Sequence, residues 1–298
     1  MRRRSLFDWF PVNRLRRDRP TVAVLRLDGV IGAIGPLRRG LSLTTLAGPI
    51  ERAFKLRGLK AVALAINSPG GSPVQSAMIA RRVRALADEA GIPVFAFAED
   101  VAGSGGYWLA CAADEIFSDE NSIIGSIGVR TGGFGFAGLI KRFGIERRIY
   151  TAGERKAMLD PFLREDADDV TRLGAIQHDV HESFKTLVRT RRQGKLKAPE
   201  DELFSGEFWT GRRALELGLI DGIGDLRTVM RERFGRTVRL RPVGARRAWR
   251  RRLAPGADGA AAWAPVSARL GAGPGPGEWA AEVIAALEER VLWSRFGL

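Results

Sequence analysis

Ser104 stands among small residues in the run Glu99-Asp100-Val101-Ala102-Gly103-Ser104-Gly105-Gly106-Tyr107. The run follows the apolar stretch Val94–Ala98 and precedes the helix-like stretch Tyr107–Ala113. A strand, a tight turn and a helix start meet at this serine. Such a turn exposes a side-chain oxygen while the N–H groups of the first helical turn face the same space. Nucleophilic attack on a carbonyl needs that pair of features: access, and donors for the oxyanion. An ordinary glycine-rich turn holding a serine is the alternative reading. Asn67-Ser68-Pro69-Gly70-Gly71 also closes an apolar run. Gly70 or Gly71, together with Gly105, could present two N–H donors to one oxygen, or Gly70 and Gly71 could simply form a strand-to-helix turn.

A serine nucleophile needs a base. The chain has two histidines, His178 and His181, both in a charged helical segment away from any strand end. Their spacing of three suits a metal pair, but no third ligand accompanies them, and a solvated helix face is the simpler reading. Lysine is left. Lys156 lies in Thr151–Phe162, just past an expected strand at Arg147–Thr151. With an ordinary pKa of about 10.4 it must be desolvated to act as a base; Ala157, Met158, Leu159 and Phe162 are apolar neighbours for that purpose. A plain surface lysine is the alternative. Ser126, in Ile124-Gly125-Ser126-Ile127-Gly128-Val129, could orient the lysine amine or cap a strand end.

The elements that must position these residues alternate between strand and helix. Strands are expected at Thr21–Leu27, Ala61–Ile66, Val94–Ala98, Glu115–Ser118, Ile123–Val129 and Arg147–Thr151. The continuous apolar run Ala61–Ile66 is that of a parallel strand buried on both faces. Helices are expected over 45–58, from Ser72 to about Ala90, over Asp166–Arg192, Gly211–Leu219 and Asp225–Phe234. Ser72 reads as N-cap, Pro73 as the first helical residue and Gln75 as the capping-box partner. The order implies an α/β domain with mostly parallel sheets and right-handed βαβ crossovers.

At 298 residues and 45% hydrophobic, the chain can bury a large core. It divides into a basic tail at 1–20, a catalytic domain at 21–242, an Arg/Ala/Gly/Pro-rich linker at 243–277 and an amphipathic helix at 278–298. The net charge of +14 sits in two segments: 1–20 carries +5 and 231–252 carries +9. Basic flanks suit peripheral contact with an anionic membrane better than a shaped nucleic-acid site, and no nucleic-acid motif accompanies them. The single cysteine, Cys111, excludes an intrachain disulfide and fits a reducing compartment; it reads as a small buried apolar residue. No apolar run of about 18 residues predicts a transmembrane helix, and no secretory signal is evident. The expected location is cytoplasmic, or peripheral at the inner face of the membrane.

Taken together, Asn67–Gly71, Asp100–Tyr107, Gly125–Val129 and Gly153-Glu154-Arg155-Lys156 resemble the motif series of the S49 peptidases, the signal peptide peptidase A / protease IV family. The similarity covers roughly 21–240. It implies a ClpP/crotonase-like fold and a Ser–Lys dyad. Ser104 matches the nucleophile and Lys156, 52 positions on, the general base. Ser126 matches the serine near the lysine; Gly70 or Gly71 and Gly105 match the oxyanion donors. The resemblance also implies a homo-oligomeric ring in which serine and lysine of one site come from neighbouring copies, and no cofactor or metal. Gly103 departs from the pattern, standing where alanine or serine is more usual, and the N-terminal membrane anchor usual in the signal peptide peptidases is not apparent.

The expected function is therefore a serine endopeptidase acting on unfolded polypeptides or membrane-released signal peptides. A crotonase-type acyl-thioester hydratase or isomerase would share the fold but use carboxylates; a membrane-associated scaffold would use only the basic tails and terminal helix.

Overall fold

The computed structural model describes residues 19–32, 40–244 and, near the C-terminus, 286–287, 289–294 and 296. The basic tail through residue 18, nearly all of the 243–277 linker and the first part of the terminal helix lie outside the described residues. Among the described residues no helix is long and apolar enough to cross a membrane.

One mixed sheet organises the fold. Its main path runs β6(Phe208–Thr210), β5(Ile123–Gly125), β3(Val94–Gly103), β2(Leu59–Ser68), β1(Thr21–Asp28), β8(Arg239–Pro242). β4(Glu115–Ser118) pairs with β3 and with β7(Gly222–Ile223). Every pairing is parallel except β5 with β6. β2 is apolar and buried from Ala61 to Ile66, as a strand covered on both faces must be. One face carries α1(Leu43–Phe54), α2(Pro73–Ala90), α3(Gly105–Ala110), α5(Ala167–Arg191) and α7(Gly211–Glu216). The other is covered in part by α8(Leu226–Phe234), through Val229 and Met230 on Phe95, Phe97 and Phe117. α4(Ala137–Arg142) and α6(Glu200–Leu203) complete the set.

β3 changes partner midway. Phe95–Ala98 pairs with β4, whereas Val101–Gly103 pairs with β5. Between them Glu99 and Asp100 bulge, because the register with β2 slips after Ile66. Asn67 bridges the slip: its Oδ1 accepts from Val101 N–H at 3.2 Å and its Nδ2 donates to Asp100 Oδ2 at 2.9 Å. A bulge bends and twists its strand, and this one redirects the end of β3 toward β5.

Several local expectations are corrected. Ser72 caps α2 through its hydroxyl, but Gln75 does not close the box; its Oε1 accepts from Leu43 N–H at 2.9 Å instead. The Ser72 N–H is already bonded to the Ile31 carbonyl, so the glutamine is free to serve the first turn of α1. The strand expected over Ile123–Val129 stops at Gly125: Ser126 adopts φ 52° and turns its N–H to the Glu207 carbonyl. Arg147–Thr151 forms no strand, since no sheet edge lies alongside, and Arg147 and Arg148 instead pair with Asp160 and Glu146. The charge is also less segregated than expected, because Arg231 and Arg233 lie on α8 and Arg239 and Arg241 on β8.

A buried ion pair ties the closing helices to the sheet. Arg192, 2% exposed, donates to Asp221 Oδ2 at 2.6 Å and to the Gly218 carbonyl. Burial alone would push the Asp221 carboxyl up, but Arg192, Lys195 and the Ile116 N–H hold it below the usual range.

Candidate active site

Ser104 follows the last residue of β3 and precedes the first residue of α3. Its φ of 51° and ψ of −118° match the first central position of a type II′ turn, which favours glycine. A serine held there stores strain of about 1–3 kcal/mol, a common property of functional positions. It occupies the N-cap of α3, where a serine hydroxyl ordinarily accepts from the first helical turn. Here the hydroxyl makes no such bond. The backbone holds the residue from both sides: its N–H donates to the Gly125 carbonyl at 2.7 Å and its carbonyl accepts from Trp108 at 3.0 Å. The ordinary-turn reading predicts a hydroxyl engaged with the turn, and this one is not.

The Asn67–Gly71 loop packs directly on the serine. A Cβ on Gly70 would stand 2.8 Å from Ser104 Cβ, and Gly70 has φ +108°, so both space and backbone require glycine. The Gly70 N–H donates to Ser68 Oγ at 3.2 Å and is committed to holding the loop. Gly71 and Gly105 differ, since among the described residues neither N–H has a hydrogen-bond partner. They are close together, with Gly71 N 3.4 Å from the position of a Cβ on Gly105. Two uncommitted donors thus stand beside a free hydroxyl. α2 packs against the same point, its Ser76 Oγ lying 2.5 Å from that Cβ position.

Ser126 leaves β5 at the level where Ser104 leaves β3, because Gly103 and Gly125 are register partners. It too has positive φ, and it is buried. His181, expected on a solvated face, is half-buried with Nε2 3.1 Å from the Ile127 carbonyl. It braces the turn after Ser126. His178 is exposed. Burial pushes the Cys111 thiol up to about 12, leaving it a protonated apolar side chain. Among the described residues no group of three or more His, Cys, Asp or Glu could hold a metal ion.

Lys156 is not joined to Ser104. It lies exposed in a turn over 154–159, and no hydrogen bond or ion pair links it to either serine. The segment around it contacts chiefly itself: Phe136 meets Phe162 at a tilted angle, the Phe136 N–H donates to the Pro161 carbonyl, and Arg147 pairs with Asp160. The sequence reading overlooked Asn67 and Asp100 as positioning residues, and also β6, whose Trp209 covers Gly125. Phe208-Trp209-Thr210 is rich in strand-forming residues, which was the available signal.

The sequence model of Peptidase family S49 matches residues 87–234. A protein of Brucella abortus named Na(+)/H(+) antiporter NhaA is 46% identical over 289 residues, covering 96% of this chain and 38% of that protein. A Synechocystis protein provisionally named a protease is 30% identical over 197 residues, 65% of this chain and 68% of its own length. A solved mutant of the 1510-N membrane-bound stomatin-specific protease aligns at TM-score 0.46 and 16% identity, over 76% of this chain and 99% of that one. The chain spans well under half the length of the Brucella relatives, 38% in each. With a matched family model, a relative aligned over two thirds of its length and the mostly parallel α/β sheet, the chain belongs to peptidase family S49.

Proposed function

We propose that this chain is a serine endopeptidase in which Ser104 is the nucleophile and Lys156 of an adjacent copy is the general base. The observation that carries the reading is the pairing of a strained serine with an unengaged hydroxyl and two uncommitted N–H groups, Gly71 and Gly105. Neutral Lys156 takes the hydroxyl proton as Ser104 Oγ attacks the scissile carbonyl. The Gly71 and Gly105 N–H groups receive the oxyanion, Gly70 keeping their loop in place. Lys156 then protonates the leaving amine, and water releases the acyl group by the reverse sequence. Ser126, leaving β5 beside Ser104, is the residue to orient the incoming amine.

Exposure supports the second copy. No residue from 128 to 183 is buried, although the stretch includes Phe134, Phe143 and Tyr150, and Phe134 is 82% exposed. Apolar surface of this extent marks a contact with another protein. A ring would bury it and bring Lys156 to a neighbour's Ser104. Extended stretches of unfolded or membrane-released polypeptide are the substrates such an open site admits. The thioester reading lacks its carboxylates: Asp100 is bonded to Asn67 and Glu99 to Arg26. Ion antiport is not carried over either, because the match leaves 62% of the antiporter-named protein outside it and no described helix here could span a bilayer.

Mixing two inactive chains tests the shared site. Ser104→Ala should abolish hydrolysis of a fluorogenic peptide, and Lys156→Ala should lower it by at least about 10²-fold. Co-refolded in equal amounts, they should recover about a quarter of wild-type activity if neighbours complement each other at random. A mixture as inactive as its components overturns the shared dyad, and turnover by pure Ser104→Ala overturns the nucleophile.

A further inference from the structure

β3 carries more residues than β2 over one short stretch. Ile66 pairs with Ala98, whereas Ser68 pairs with Ala102, so four residues of β3 run beside two of β2. Continuous pairing would set Ser68 opposite Asp100. At about 3.3 Å per residue, the two extra residues draw the end of β3 back by about 7 Å. Because the slip is even, the side chains of β3 keep their faces. Ser104 depends on this retreat. A Cβ on Gly70 would stand 2.8 Å from Ser104 Cβ and 3.0 Å from Gly105 N. Without the slip the serine would overshoot the Asn67–Gly71 loop by about 7 Å.

A bulge disrupts the ladder and leaves its extra residues without strand partners, so side chains must hold it. Arg26 grips the Glu99 carboxylate through two hydrogen bonds, and the Ser122 hydroxyl donates to the Glu99 carbonyl. Both act at the start of the bulge. Asn67 reaches its far side, where Oδ1 accepts from Val101 N–H at 3.2 Å and Nδ2 donates to Asp100 Oδ2 at 2.9 Å. The two contacts demand the same orientation of the amide. An ionised carboxylate only accepts, so it takes the NH2 and leaves the oxygen to face the Val101 N–H. A flipped amide would set donor against donor and acceptor against acceptor. Asn67 lies one residue before the end of β2, where the Gly70–Gly71 loop departs. One side chain thus ties that loop to the last stretch of β3.

We propose that Asn67 and Asp100 are a pair of positioning residues for Ser104. The Asp100 carboxylate fixes the Asn67 amide, the amide holds β3 at Val101, and the serine is thereby set against the Gly70–Gly71 loop. The effect on hydrolysis rests on Ser104 being the nucleophile; the register does not. Both residues act through the backbone of β3. A misplacement of about 1 Å among reacting groups costs about 10²-fold in rate. The loss falls on kcat, because nucleophile and oxyanion donors work together only in the transition state.

A reciprocal exchange in the full-length chain tests the pair. Asn67→Asp keeps an acceptor for the Val101 N–H but sets two carboxylates against each other. It should lower kcat for a fluorogenic peptide by about 10²-fold, with KM unchanged. Adding Asp100→Asn restores one donor and one acceptor in reversed order and should return most of the lost kcat. Amide hydrogen exchange over 99–103 should rise in the single variant and fall back in the double, whether or not the chain is a peptidase. Unchanged exchange in Asn67→Asp, unchanged kcat in an active chain, or a double variant no better than the single overturns the proposal. So does a loss explained wholly by less folded protein at equal kcat per folded chain. A wild-type chain that neither cleaves peptide nor accepts a fluorophosphonate would sink the peptidase reading, and the exchange measurement would still decide the pair.

Discussion

From Val101 to Ala113 every residue is buried except half-buried Ser104, whereas from 128 to 183 none is buried. The first region holds the candidate nucleophile and the second the candidate base. Around Ser104, four backbone segments converge at distances that leave no room for a methyl group at Gly70, Gly105 or Gly106. Around Lys156 the contacts are local turns and surface ion pairs, Arg147 with Asp160 and Arg148 with Glu146, which stabilise little in water. A site that must hold an oxyanion benefits from rigidity, because donors already in place need not reorganise during reaction. A base delivered by another copy needs an exposed carrier. The difference thus separates what one chain completes from what assembly must add.

Removing the delivered group tests the comparison most severely. Lys156→Ala should lower kcat by about 10²–10⁴-fold, the usual range for a general base, with an unchanged Tm because the residue is exposed. A matching loss of Tm would mean that the arm supports the fold. Next in size is the anchor behind the rigid region. Arg192→Ala should cost about 1–3 kcal/mol, because the Gly218 carbonyl loses its buried donor and Asp221 keeps only Lys195 and the Ile116 N–H, and each kcal/mol moves Tm by about 2–4 °C in a domain of this size. The pH dependence has a definite sign: the folded Asp221 carboxyl titrates below its unfolded value. Its stabilisation is therefore complete above an unfolded pKa of about 3.9 and is lost as pH falls through the lower folded value. Acid denaturation of the Asp221→Asn chain should lack that contribution; identical acid profiles would remove Asp221 from the account.

Gly70→Ala should reduce kcat/KM by about 10²–10³-fold, comparable to losing an oxyanion donor. The added Cβ meets Ser104 Cβ at 2.8 Å and requires φ +108°. Wild-type turnover in this variant would show the cradle to be less rigid than its packing. Smallest for the isolated chain is Phe134→Ser combined with Phe143→Ser, which should change monomer stability by about 0.5 kcal/mol or less. The same pair should shift sedimentation toward the monomer and lower activity with it. An unchanged sedimentation profile would place the contact elsewhere.

Much of the rigid region was readable beforehand because its signals are local. Apolar runs mark β1 to β3, Ser72-Pro73 opens α2, and the Gly-Ser-Gly-Gly run places a serine at a strand-to-helix turn. Gln75, Asn67 and β6 to β8 were misread or missed, because their partners lie far along the chain. A three-residue strand such as Phe208–Thr210 exists only where β5 offers an edge. Arg147–Thr151 has strand-like composition and no such edge, so it stays irregular. The free Ser104 hydroxyl was not readable either, since the same residues could have made an ordinary capped helix start.

The sequence by itself determined the α/β alternation, the order of the four motifs and the family they resemble, because propensity, capping and hydrophobic period act between near neighbours. Only the tertiary structure decided that Gly71 and Gly105, not Gly70, keep uncommitted N–H groups, that Lys156 stands apart on an exposed arm, and that Asn67 meets Asp100 across a slipped register. Each of those depends on backbone segments meeting across the sheet, where packing and hydrogen-bond competition choose among alternatives that local sequence leaves equal.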